Sequence, residues 1–453
     1  MTECIPAQAV LAFPGQVPVV VRSDAPEMSS DAGWLLLRGI DEQLGLVREL
    51  AAVLPDEREA SRVVHSREEQ LRQRVYQIAL GYSDCNDADS LRRDPLLKTV
   101  CGRQPDDPEG LSSQPTLSRF ENGVSGPTVG RVVRSLERQY VASLSPDSAL
   151  VILDIDSTDD RTYGQQQLTM FNGYFDHRVY HPLLVFDGET GQIVTAVLRA
   201  GKSHANRGAR GVLRRLILAI RRRCPHAQIV VRGDSAFSSP RIVRELERLE
   251  EQMGEVFYLL GFAKNEALVR LIAPTMARAR EQYEIWNTKA VRFTSFRYRA
   301  QTWKLSRLIV AKADFSAQGP NPRFVLTNIT GFDADMLYRA YCERGQCENR
   351  IKDFKNALAA DRLSCSSFCA NFFRLLLHLV AYRLMQALRQ AIAPLSQELG
   401  RAQFDTLRLK LLKVGALVTQ SVRRILVRLP QAFPLQKVFL NTAQAFSTPP
   451  ALT

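Results

Sequence analysis

Of the eight cysteines in this 453-residue sequence, at positions 4, 85, 101, 224, 342, 347, 365 and 369, none forms a C-x-x-C pair or a zinc-ligand spacing. That argues against a disulfide framework and a structural zinc site, and reads as reduced thiols in a cytosolic protein. The opening stretch MTECIPAQAV lacks the basic stretch and apolar core of a secretory signal, so a cytoplasmic location is expected. Long uncharged apolar runs are also missing. The best candidate, FFRLLLHLVAYRLMQAL, carries Arg374, His378 and Arg383, so a core helix is expected rather than a membrane span. Neither internal repeats nor low-complexity segments are present. Acids are short too: 47 Asp and Glu face 60 Lys and Arg, a formal charge of +13. A soluble chain so basic is expected to meet a polyanion, and nucleic acid is the first candidate.

The texture of the chain suggests five segments. Residues 1–145 hold two strand-like runs, VPVVV and GWLLLRG, and then a charged helix-rich stretch, read as a DNA-end-binding region. Within it LSSQPTLSRFENG reads as a short helix with Pro115 in its first turn and Gly123 as its stop. A short polar helix after a turn has the look of a recognition helix, which makes Arg119 a candidate DNA contact. Residues 146–264 run strand, strand, strand, helix, strand, helix, strand, with a D-G-E-T-G hairpin turn between the second and third strands. That order predicts a mixed α/β sheet flanked by helices whose first three strands form a meander. Residues 265–335 read as a β-rich insertion, 336–395 as carboxy-terminal helices of the core, and 396–453 as a basic tail that packs as an amphipathic element.

Three acids stand out by position. Asp156 ends the first strand in LDIDST, Asp234 ends the fourth in RGDSAF, and Glu348 lies in YCERGQCENRIKDFK. On a uniform α-helix, at about 100° per residue, Arg344, Glu348, Lys352 and Lys355 all fall within roughly 60° of Tyr341, and Glu343 falls on the far side. One acid ringed by a phenol and three cations suits a carboxylate that holds a metal beside a phosphate backbone. Strand-end carboxylates converge in space, and hard divalent cations take oxygen ligands of this kind. Two Mg²⁺ or Mn²⁺ ions would activate a water or a 3′-hydroxyl and stabilise the leaving oxygen. Asp154 and Asp156 share a strand face, so either could be the first ligand, and Asp156, nearer the strand end, is favoured. Asp159 and Asp160 read as turn acids, and His177, His181 and His204 as structural or phosphate-neighbouring.

Spacing for spacing, Tyr341-x2-Arg344-x3-Glu348-x6-Lys355 resembles the Y-R-E-K signature of DDE transposases of bacterial insertion sequences. LDIDSTDD, RGDSAF and the block from Tyr163 to Gly191 are similar to the members with a ribonuclease-H-like core. The resemblance implies that Asp156, Asp234 and Glu348 are a metal-binding triad, and that Tyr341, Arg344 and Lys355 contact phosphates at the transposon end. It also implies that an aromatic of the insertion stacks on a flipped base, with Trp286 and Trp303 available and a core role for each the blander reading. The implied activity is cut-and-paste transposition by a homodimer on double-stranded inverted-repeat ends, with no membrane partner, in the bacterial cytoplasm. A hairpin intermediate is implied by the signature alone. The rivals are a structure-selective endonuclease of the same fold and a transposase-derived DNA-binding protein without catalysis.

Overall fold

A computed structural model describes residues 8–301 and 303–447, which leaves Cys4 outside the described residues. By contacts the chain divides into two units, residues 46–59 and 118–386 in the larger and the remainder in the smaller.

The smaller unit is mainly helical, with α1 (Trp34–Leu44), α2 (Arg67–Ala79) and α3 (Pro95–Val100) as its frame. Ser66 caps α2 by accepting from the Glu69 amide at 3.1 Å, and Asp94 caps α3 through the amides of Leu96 and Leu97. GWLLLRG is not a strand. The run continues into IDEQL, so Trp34, Leu36, Leu37 and Ile40 recur at helical spacing and are buried together, and Gly45 ends the helix in the left-handed region at φ 65°. The VPVVV run does form a strand, Val19–Arg22, paired with Gln8–Leu11. Chain from the other end completes the unit: strands Ala416–Ser421 and Arg424–Arg428 pair with each other, and the first of them pairs with Met28–Ser29.

In the order of the chain, α4 (Gln114–Asn122) and α5 (Gly126–Ser143) lead into the larger unit. Its core strands are β1 (Leu150–Ser157), β2 (Leu183–Asp187), β3 (Ile193–Val197), β4 (Gln228–Gly233) and β5 (Val256–Phe262), with α6 (Ala209–Arg223) and α7 (Pro240–Met253) between the later ones. They lie in the order β3-β2-β1-β4-β5, antiparallel through the meander and parallel from β1 to β5. That is the ribonuclease-H-like arrangement. Side chains alternate along β1, so Val151, Leu153 and Ile155 enter the core with Leu213, Leu216 and Ile217 of α6 and Ile242 and Leu246 of α7. Asp154 and Asp156 therefore point to the other face.

The insertion begins with α8 (Glu266–Trp286), a 21-residue helix that contains Pro274, and continues as β6 (Ala290–Tyr298), β7 (Arg307–Ser316) and β8 (Arg323–Thr327). It does not stand apart. β8 hydrogen-bonds to β5 and β7 to β8, so the insertion extends the core into a single nine-stranded sheet. A helical path follows: α9 (Ala334–Cys342), a 3₁₀ turn at Glu343–Gly345, α10 (Gln346–Lys352) and a π-turn at Asp353–Ala357. Uniform α geometry thus fails on either side of Glu348, because the 3₁₀ and π turns change the rotation per residue. α11 (Phe368–Ile392) has 25 residues, longer than the run read from sequence and long enough to cross a membrane, but 83% of its most apolar stretch is buried.

Candidate active site

Asp154 is fully buried, at 0% exposure, and it is saturated. Arg232 donates from Nε and Nη2 to its two carboxylate oxygens at 2.6 and 2.9 Å, and Arg350 Nη1 adds a third bond at 3.1 Å. The remaining donors are used as well: Arg232 Nη1 reaches the Ala340 carbonyl at 2.9 Å and Glu343 at 3.3 Å, and Arg350 Nη2 the Gly188 carbonyl at 2.8 Å. A desolvated bidentate pair of this kind is costly to break, since the survivor is left charged and dry. Its members belong to β1, β4 and α10. Each stands two residues from a candidate triad acid: Asp154 before Asp156, Arg232 before Asp234, Arg350 after Glu348.

Asp156 meets a different environment. Its Oδ2 accepts from Arg344 Nη1 at 3.1 Å and its Oδ1 from the Ser157 amide at 2.8 Å. Burial pushes its carboxyl up to about 6, the Ser157 bond and Arg344 oppose that, and the charges of Asp234 and Glu348 push the same way as burial. Asp234 and Glu348 thus each stand within electrostatic reach of Asp156. The β1–β4 register pairs Arg232 with Asp154, which carries Asp234 alongside Asp156. Asp234 starts a short 3₁₀ turn and accepts from the Ala236 amide at 2.9 Å. Gly261 makes this approach feasible, because a Cβ there would lie 2.7 Å from the Tyr341 hydroxyl and 3.0 Å from the Ser235 amide nitrogen. The Tyr341 hydroxyl is therefore tucked against the Asp234 turn. Its ring carries the Arg344 guanidinium at 5.9 Å, and burial pushes its pKa up. Glu348 is exposed on α10, beside the buried Cys347.

Lys355 lies in the π-turn and reaches back to the segment that follows β1. Its Nζ donates to the Asp159 carbonyl, to Asp159 Oδ1 at 3.1 Å and to Thr158 Oγ1 at 3.2 Å. His177 Nε2 meets the other Asp159 oxygen at 3.2 Å. Asp159 is thus an anchor rather than a plain turn acid, and Asp160 is buried at 2% exposure in a short strand against Tyr180. Lys352 is exposed. A cleft of about 600 Å³ opens beside Asp234 and Tyr341, with Phe262 and Tyr338 as aromatic walls and Lys264 and Arg323 as cations.

Two of the DNA-contact candidates sit elsewhere. Arg119 is exposed on α4. Trp303 is 8% exposed, packed 5.5 Å from Phe262 and 5.7 Å from Tyr298, with the Arg307 guanidinium 4.5 Å over its ring. No face of it is open to a base, which corrects the stacking role set out for it. Trp286, at the end of α8, is 69% exposed. Sequence reading missed Arg232, Arg350 and Asp159. The one signal for Arg232 is a charge inside the otherwise apolar strand QIVVRG.

Among the described residues, no three His, Cys, Asp or Glu side chains stand close enough together to hold a metal ion as they lie. The donor chemistry nevertheless fits a hard divalent cation, since Asp156 carries the charges of two further carboxylates beside it and oxygen is the ligand such ions take. Arg344 now supplies the positive charge beside Asp156.

A family model described as "Transposase DDE domain group 1" matches residues 13–450. No curated protein matches the sequence. Among solved structures, the piggyBac transposase synaptic complex with hairpin DNA is similar at 10% identity, over 93% of this chain and 82% of that one, with a TM-score of 0.43.

Proposed function

The chain belongs to the DDE transposase family, and on that premise we propose that it binds the terminal inverted repeats of an insertion sequence, cuts at their ends and joins the freed 3′-hydroxyls to target DNA. The observation that carries this reading is geometric: the parallel β1–β4 register sets Asp156 and Asp234 side by side at the ends of adjacent strands, and the charge of Glu348, on the exposed face of α10, reaches Asp156.

In this reading Asp156, Asp234 and Glu348 would hold two Mg²⁺ or Mn²⁺ ions. When bound, such ions activate the attacking oxygen and stabilise the leaving one in an in-line displacement. Asp154 is left out of the set on this reading, a choice supported by the bonds of its oxygens to Arg232 and Arg350. Arg344 has two anions to serve: Asp156 as the structure stands, and a DNA phosphate once Asp156 is otherwise neutralised. Tyr341 and Lys352 line the same approach, while Lys355 fixes the segment after Asp156 through Thr158 and Asp159. Arg119 contacts the end at a distance from the chemistry. The protein works as a homodimer on paired ends, by cut-and-paste, in the bacterial cytoplasm.

The test is cleavage of a labelled duplex that ends in the gene's own flanking inverted repeat, with Mg²⁺ or Mn²⁺. Wild type is expected to cut and join, Glu348→Ala to do neither, and Glu343→Ala to retain both. Cutting without joining would point to an endonuclease, and binding without cutting to a retired enzyme. Normal cutting by Glu348→Ala would overturn the triad.

A further inference from the structure

We infer that the groove between α5 and α6 is a second seat for duplex DNA, one that takes the phosphate backbone away from the acid cluster. The inference rests on the reading of the chain as a DNA transposase and adds a surface to it. The groove has a volume of about 610 Å³ and is rimmed by Arg134, Arg138, Arg215 and Arg222 over a floor that includes Val141 and Leu216.

Its charge is not balanced by the fold. α6 carries six arginines and no acid over Ala209–Arg223. Helix chemistry explains some of them: Arg221 donates to the carbonyls of Pro225, Ala227 and Gly254, and Arg223 to that of Leu144, as cations near a helix C-terminus do. Glu137, the acid among the groove's lining residues, is already spent, with bonds of 2.7 Å from both Arg215 Nε and Arg215 Nη2 and one of 3.1 Å from Thr195. Arg134 and Arg138 pair with no carboxylate among the described residues, yet they sit four apart on one helix face, a spacing at which like charges repel. A polyanion laid along the groove removes that repulsion, and the wall of planar guanidinium groups suits phosphates.

Position separates this seat from the catalytic candidates. α6 ends at the edge of the sheet where β4 begins, with Gln228 paired to Leu150, whereas Asp156 and Asp234 lie at the other ends of β1 and β4. At ~3.3 Å per strand residue the two edges are roughly 20 Å apart. At ~3.4 Å per base pair, a duplex that touches both extends at least about six base pairs from the cut.

The experiment measures binding of labelled duplexes by the full-length protein and by Arg134→Gln/Arg138→Gln/Arg222→Gln, across salt, with thermal melting as the folding control. Duplexes extend either about three or about fifteen base pairs from the cut, on the transposon side or on the flank. The variant is expected to lose affinity for the long duplex on one side only, and its slope of log affinity against log salt to fall by about 0.9 per contact removed. Backbone contacts carry no sequence, so an unrelated duplex of equal length shows the same loss. A wild type that binds the unrelated duplex as tightly as the inverted repeat would retire the end-binding reading and still measure the groove. A variant that matches wild type on every long duplex overturns the seat, as does one whose only change is in oligomeric state.

Discussion

Asp154 and Asp156 share one face of β1 but not one environment: the first is sealed by two arginines at 2.6 to 3.1 Å, and the second meets one arginine beside two further acids. The contrast separates their mutants. Asp154→Ala strips Arg350 of its carboxylate and leaves Arg232 with only the exposed Glu343, and it is expected to cost about 3–5 kcal/mol of stability. Asp156→Ala relieves crowding among carboxylates, so its melting temperature is expected to hold or rise while cleavage falls by about 10²-fold or more. Denaturant melts of both proteins, set beside their cleavage rates, decide it; a stable Asp154→Ala protein would contradict the assignment.

Lys355 ties the helical path to the segment after β1. Lys355→Met should free residues 157–161, visible as faster amide hydrogen exchange there, together with a cleavage loss of the order of tenfold. Unchanged exchange in that segment would show that the lysine's bonds to Thr158 and Asp159 do not hold it.

His181 provides a pH-dependent stability term. It is buried at 7% exposure with Nδ1 at 2.8 Å from the Ser203 carbonyl; burial lowers its pKa, Arg199 and His204 lower it further, and that hydrogen bond and Asp159 oppose them. The unfolded chain then takes up the proton more readily than the folded one, so this contribution is fully present above about pH 6.5 and is lost as pH falls below it. Wild type should melt lower at pH 5.5 than at 7.5 by more than His181→Gln does. Equal losses would mean that other groups carry the effect.

The tryptophans should divide cleanly. Trp303→Ala removes a ring packed on Phe262 and Tyr298 and is expected to cost about 3–5 kcal/mol, whereas Trp286→Ala, at an exposed position, should stay within about 0.5 kcal/mol. Chemical denaturation of each variant checks both figures.

How far the sequence could be read follows from the range of the forces involved. β1, the β2–β3 hairpin and the Ser239–Pro240 start of α7 were legible because alternation, turn residues and caps act within a few positions. α1 was not, since a window of seven residues hid the helical spacing that Ile40 completes. α8 was hidden by Pro274, an ordinary stop signal, inside a 21-residue helix. The acids were legible as candidates because strand ends are visible in sequence. Their sorting was not: Asp154 is claimed by partners 78 and 196 residues away, and nothing local announces them.

The same long-range bonds constrain how the gene can change over time. A lineage that loses Asp154 alone inherits two cations stripped of the carboxylate they share, and one that loses Arg232 or Arg350 alone inherits an under-compensated anion. Neither is a comfortable intermediate. Descendants of this chain should therefore keep all three or exchange them as a set for apolar side chains, so positions 154, 232 and 350 are expected to covary although they are scattered across nearly two hundred residues.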